Sequence, residues 1–182
     1  MANTLKQFDA AVHRCKDIFV KKMHDYGTSW RVLRTTSITD QMFIKAQRIR
    51  SIEEKGEQKV EENVSSDYMG IFNYAVIGLT QLSLKDDSRL EIPAQEIEAQ
   101  FDRHVKSARA LLVNKNHDYG EAWREMRVSS LTDLILMKLL RIKQIETNEG
   151  VTLASEGTDA NYYDLMNYAI FALIRLAELE KA

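Results

Sequence analysis

Apolar residues near the start of the chain fall in helical steps. Phe8, Val12, Cys15 and Phe19 are separated by four, three and four residues, which puts them on one stripe of an α-helix. Thr4 and Gln7 ahead of it have the spacing of a capping box. Gly27 suits the left-handed turn that closes a helix. A second stripe, Phe101, Val105, Ala108 and Leu112, repeats the spacing behind Pro93, a residue favoured at the first helical position, and ends at Gly120. Leu131, Leu134, Ile135, Leu139, Ile142 and Ile145 form a broad apolar surface on a helix expected to begin at Ser130, with a counterpart beginning at Ser37. Leu165, Ala169, Ala172 and Leu176 mark a helix opening near Thr158-Asp159. No segment sustains period-two alternation between turn residues. The pattern predicts an all-α helical bundle with a short helical turn around each tryptophan.

The stripes recur because the chain is written twice. His24-Asp25-Tyr26-Gly27 returns as His117-Asp118-Tyr119-Gly120, an offset of 93 residues. The same offset carries Phe8 onto Phe101, Lys22 onto Lys115 and Trp30 onto Trp123. It carries Ser37, Asp40, Lys45, Arg48 and Glu53 onto Ser130, Asp133, Lys138, Arg141 and Glu146. After one inserted residue, Asn73-Tyr74-Ala75 returns as Asn167-Tyr168-Ala169. These matches predict two tandem three-helix repeats with internal pseudo-twofold symmetry, one over residues 1–85 and one over 93–182. The hinge at 86–92 lacks the Gly/Ser or Pro enrichment of a flexible linker, so the halves are expected to pack together.

Composition narrows the classes. Lys and Arg number 25 against 27 Asp and Glu, a net charge of −2 with no basic run, which argues against a nucleic-acid partner. The single cysteine excludes an internal disulfide framework and a Cys-rich zinc module, and its counterpart Ala108 argues against a nucleophilic thiol. No apolar run approaches the ~18 residues of a membrane span, and Met1-Ala2-Asn3 leads into no signal-peptide core. The expectation is a cytoplasmic protein with no membrane partner.

Three sets of residues could carry chemistry. Lys138 and Arg141 share a stripe with Leu134 and Ile145, as Lys45 and Arg48 do with Gln41 and Ile52. Such cations either snorkel from the edge of a core or meet a phosphate or carboxylate. The carboxylates Glu146, Glu156, Asp159 and Asp164, and Glu53, Glu61, Glu62 and Asp67 in the first repeat, would suit Mg²⁺ if they faced the interior. They are otherwise a solvated acidic face. Asp164, Asn167 and Tyr168 share one polar face. Asp40 and Asp133, three residues after Ser37 and Ser130, read as capping-box partners. Lys115, His117, Asp118, Tyr119 and Trp123, like Lys22, His24, Asp25, Tyr26 and Trp30, gather a cation, an imidazole, a carboxylate and two aromatics at a helix end. That set either holds a nucleotide or packs a corner. The chain has no Gly-rich phosphate loop and no His-Glu-x-x-His helix.

A Lys-x-His-Asp-Tyr-Gly-x-x-Trp element, a Lys-x-x-Arg helix and a terminal Glu…Asp-x-x-Asn-Tyr-Ala element together resemble the nucleotide modification associated domain, type one. That family is similar to the MazG-like all-α nucleoside triphosphate pyrophosphohydrolases. The resemblance implies a Mg²⁺-dependent enzyme acting on a nucleotide or similar phosphorylated small molecule, with Mn²⁺ an alternative metal. It implies Glu156 and Asp164 as metal carboxylates with catalytic roles, Glu146 as a third ligand, and Lys115, Lys138 and Arg141 on the phosphates. Tyr119 or Trp123 would meet the base, and a homodimer is implied. The first repeat departs from the motif, because Gly70 stands opposite Asp164 while Glu62 matches Glu156. Asp67, opposite Asn161, is the candidate substitute from one turn away. A working site is therefore expected in the second repeat and a weakened one in the first. The rival reading is a non-catalytic helical module that binds a nucleotide or a protein partner.

Overall fold

The computed structural model describes residues 2–153 and 156–181. It contains α1 (Ala2–Tyr26), α2 (Thr35–Lys55) and α3 (Val64–Ser83), then α4 (Ala94–Tyr119), α5 (Val128–Thr147) and α6 (Thr158–Leu179). A one-turn helix follows α1 at Ser29–Val32 and α4 at Ala122–Glu125, around the two tryptophans. No strand occurs among the described residues. The all-α tandem bundle expected from periodicity is the fold. No helix is long and apolar enough to cross a membrane among the described residues.

Gly27 and Gly120 follow α1 and α4 with φ of 59° and 64°, positive values that side chains rarely adopt and that let the chain turn sharply towards each tryptophan. Helices α2 and α5 begin earlier than Ser37 and Ser130. The amides of Ser37 and Ile38 bond the carbonyl of Arg34, and those of Ser130 and Leu131 bond that of Arg127, so the serines lie inside the first turn. Asp40 and Asp133 are thereby freed from capping. Asp40 pairs with Lys143 at 2.6 Å and Asp133 with Arg50 at 3.6 Å, two equivalent bridges between repeats. The Thr4–Gln7 capping box also gives way, because α1 already runs through Thr4. Arg124 donates to both side chains at 2.6 Å, and Thr4 bonds Glu121.

Helices α2, α3, α5 and α6 form the central bundle, with α1 and α4 each packed across α3 and α6. At the crossing of α3 and α6 a Cβ on Gly78 would lie 2.8 Å from the Tyr162 ring, so only glycine lets the two helices meet there. Phe101 is in ring contact with both Phe19 and Phe72, at 5.0 and 6.1 Å between centroids, which ties the second repeat's outer helix to the first repeat. The hinge segment is pinned too. The Thr28 hydroxyl donates to the Leu90 carbonyl at 2.6 Å and accepts from the Ile92 amide at 3.1 Å.

Two polar triads, with buried threonines and tyrosines, relate the repeats. Thr39 donates to Glu146 at 2.9 Å and lies 3.3 Å from the Tyr162 hydroxyl. Thr132 donates to Glu53 at 2.8 Å and lies 2.7 Å from the Tyr68 hydroxyl. Each threonine belongs to one repeat and its acid and tyrosine to the other. Burial raises both glutamates above the ordinary carboxyl range, and the threonine hydroxyl bonds only partly offset it.

Candidate functional site

Each repeat closes a corner between its outer helix, its tryptophan turn and its third helix. In the second repeat that corner is filled. Asp164 on α6 receives Lys115 of α4 at 2.7 Å on one oxygen and Lys138 of α5 at 2.6 Å on the other. Asp164 and Lys138 are both buried, whereas the Lys115 side chain is about half exposed. Burial works to raise the Asp164 carboxyl, but hydrogen bonds from the two ammonium groups outweigh it, and it is held below the usual range. One helical turn past Asn167, Phe171 lies flat on Trp123, with centroids 4.3 Å apart and planes 7° from parallel. A cavity of about 140 Å³ remains, bordered by Tyr119, Asn167 and Tyr168.

In the first repeat the same corner is open. Gly70 stands at the Asp164 position and Ile77 at that of Phe171. Lys45 crosses the face of Gly70, where an added Cβ would lie 2.8 Å from its side-chain carbons and 3.3 Å from its ammonium. Lys45 reaches Asp67 only at 3.7 Å, while Arg48 bonds Asp67 directly and the Glu62 carbonyl at 2.7 Å. Asp67, expected as the substitute metal carboxylate, is in this structure the ion-pair partner of these two cations. Lys22 has no ion-pair partner among the described residues, and Trp30 no ring in contact with it. The result is a cavity of about 550 Å³ lined by Lys22, Tyr26, Trp30, Lys45, Glu62 and Tyr74. That is within the ~300–1,000 Å³ of ordinary ligand pockets. Asn73 also borders it, donating to the Cys15 carbonyl at 3.0 Å, as Asn167 does to that of Ala108 at 3.2 Å. Both asparagine carbonyl oxygens lack a partner among the described residues. At the two tryptophan corners, then, the first repeat holds the larger opening and the second is filled.

The remaining expected residues separate into two groups. Arg141 and Glu156 line, with Lys138 and Asn161, an open cleft of about 690 Å³ beside α5. Glu156 lies ahead of α6, and the closing-helix acid that meets a middle-helix cation is Asp164, bonded by Lys138. Glu146 is elsewhere, in the triad with Thr39 of the other repeat. The reason is angular: Tyr162, which shares that triad, lies about 200° around α6 from Asp164 at 100° per residue. His117 and Asp118 bond each other at 3.0 Å in solvent, and His24 and Asp25 pair at 3.6 Å, both well exposed. Neither imidazole lines a tryptophan corner; His24 and Asp25 border, with Val20 and Lys21, a separate open surface hollow of about 530 Å³.

These donors do not fit a resident divalent cation. Both oxygens of Asp164 are engaged by ammonium groups, Glu146 faces the repeat interface, and among the described residues no three His, Cys, Asp or Glu side chains converge. What the arrangement does offer is an aromatic-lined pocket with two cations whose hydrogen-bonding capacity is largely free. Sequence reasoning had marked Gly70 as a loss and had passed over the Ile77/Phe171 pair, which the offset of 94 residues would have revealed.

Comparison with known proteins gives one family. The sequence model for nucleotide modification associated domain 1 matches residues 22–82 and again 115–176, about two thirds of the chain. The two matches coincide with the two repeats and run through both corners. No curated protein and no solved structure gave a significant match.

Proposed function

The chain belongs to the nucleotide modification associated domain 1 family, and from that premise we propose that it binds a nucleotide in the corner cavity of its first repeat. The observation that carries this reading is the pairing, in one cavity of about 550 Å³, of Trp30, Tyr26 and Tyr74 with the ammonium groups of Lys22 and Lys45. Aromatic faces stack on bases of any identity, and lysines bind phosphate as point charges. Asn73, buried and with an unpartnered carbonyl oxygen, supplies an acceptor for an exocyclic amino group.

Binding is the part of the function that this geometry supports best. Phosphoanhydride hydrolysis, the activity of the MazG-like enzymes, would add a metal that enters with the nucleotide phosphates, as Mg²⁺ and Mn²⁺ commonly do. Calorimetric titration with a panel of ribo- and deoxynucleoside triphosphates tests the binding. Saturable binding that falls about tenfold or more in Lys45→Ala and in Trp30→Ala is expected. Absence of binding to every member of the panel overturns the reading. Pyrophosphate release measured in the same samples with Mg²⁺ or Mn²⁺ reports whether turnover accompanies it.

A further inference from the structure

The second repeat shows what the first repeat's cavity lacks. Two side chains on α6 fill the second corner: the Asp164 carboxylate between two lysines and the Phe171 ring against Trp123. Their counterparts on α3, Gly70 and Ile77, supply neither charge nor ring. The receiving groups are nevertheless present, since Lys22 and Lys45 match Lys115 and Lys138, and Trp30 matches Trp123. All three border the cavity. We infer that Asp164 and Phe171 are built-in stand-ins for the two ends of the first repeat's ligand, an anionic group over Gly70 between Lys22 and Lys45 and a planar ring against Trp30. This inference rests on nucleotide binding in that cavity and goes further, since it fixes the ligand's shape and makes Gly70 the residue that admits its phosphate.

The stand-ins also give a length. Seven residues separate Asp164 from Phe171, nearly two full turns, so both lie on one face and ~10 Å apart along the axis. A ligand of that spacing carries its anionic end well away from its ring, which suits a nucleoside di- or triphosphate better than a monophosphate. A nucleoside carrying two or three phosphates spans it, with the outer phosphate at Gly70. Gly70 matters twice. With no carboxylate there, the flexible Lys45 stem lies across the glycine face and can swing aside for a ligand anion. The cations are also less neutralised than in the second corner, because Lys22 has no ion-pair partner among the described residues and Lys45 has only a long pair with Asp67. The 3.7 Å ion pair of Lys45 with Asp67 is looser than the 2.6 Å pair of Lys138 with Asp164, and Asp67 is shared with Arg48.

Calorimetry on the full chain with a nucleoside and its mono-, di- and triphosphates tests the inference. Di- and triphosphates are expected to bind about tenfold or more tighter than the monophosphate and the nucleoside. Gly70→Asp installs the internal carboxylate and should weaken the triphosphate by about tenfold or more, whereas Gly70→Asn, of equal size without the charge, should weaken it far less. The double variant Asp164→Gly/Phe171→Ile empties the second corner and should raise the stoichiometry from one ligand per chain to two. Circular dichroism shows whether that variant folds, and if it does not, the Asp and Asn variants at position 70 decide alone. Wild-type binding that is indifferent to phosphate number, or that survives Gly70→Asp, or that is lost equally in Gly70→Asn, overturns the inference while leaving nucleotide binding standing. Failure of wild type to bind any of the four overturns the binding itself.

Discussion

In the second repeat Trp123 is stacked on Phe171 and Asp164 holds two lysines, whereas in the first repeat Trp30 and Lys22 border an open cavity. Elsewhere the copies agree closely. The Glu–Thr–Tyr triads and the bridges Asp40–Lys143 and Asp133–Arg50 occur twice in equivalent form. The scaffold is thus symmetric and the corners are not. Two replacements on the closing helix, to Gly70 and Ile77, account for the change from a filled corner to a cavity. The departure from the motif at Gly70 is the one that coincides with the open cavity.

The largest contrast should appear at the tryptophans. Trp123→Ala removes a buried, stacked ring and should destabilise the fold by about 3–5 kcal/mol. Trp30→Ala, half-buried beside a cavity, should cost clearly less while weakening nucleotide binding about tenfold or more. Urea denaturation followed by circular dichroism gives both values, and equal losses would erase the distinction between the corners. Next come the clamp and its missing counterpart. Asp164→Asn leaves Lys138 buried without its counterion and should cost about 3 kcal/mol. Gly70→Ala should instead gain up to ~1 kcal/mol of helix propensity, since the Lys45 stem it would touch is free to swing into the cavity. A destabilised Gly70→Ala would mean that Lys45 is fixed.

Smaller effects sharpen the symmetric side of the comparison. Thr39→Val and Thr132→Val each strip a donor from a partly buried glutamate and should cost about 1–2 kcal/mol. The two losses should be similar, and a marked inequality in thermal unfolding would show that the triads are not equivalent. The clamp also has a pH signature. Because the folded state holds the Asp164 carboxyl below its unfolded value, its contribution is complete above the ordinary carboxyl range and disappears as pH falls through the depressed value. The stability gap between wild type and Asp164→Asn should therefore be flat near neutrality and narrow in acid. Smallest of all, Asp40→Asn and Asp133→Asn remove exposed pairs and should each change stability by less than ~1 kcal/mol.

Much of this molecule was legible as text. Helical spacing gave the apolar stripes, Gly27 and Gly120 marked the ends of α1 and α4, and the recurrence of His-Asp-Tyr-Gly with its tryptophan gave two repeats and their corners. The Lys-x-x-Arg pairs were correctly placed on α2 and α5. Periodicity fixes the direction a side chain takes around its own helix axis, because 3.6 residues make a turn. It carries no information about which helix lies opposite. For that reason Asp40 and Asp133 read as caps and proved to be bridges between repeats. Glu146 read as a metal ligand and proved to belong to a triad with Thr39 of the other copy. Only the packing of the outer and middle helices against the closing one, α4 and α5 against α6, brought Lys115 and Lys138 onto one carboxylate. Packing of the same kind decided the cavities, since an empty volume arises where two small side chains, Gly70 and Ile77, meet long ones from other helices, and no single stretch of sequence contains that sum.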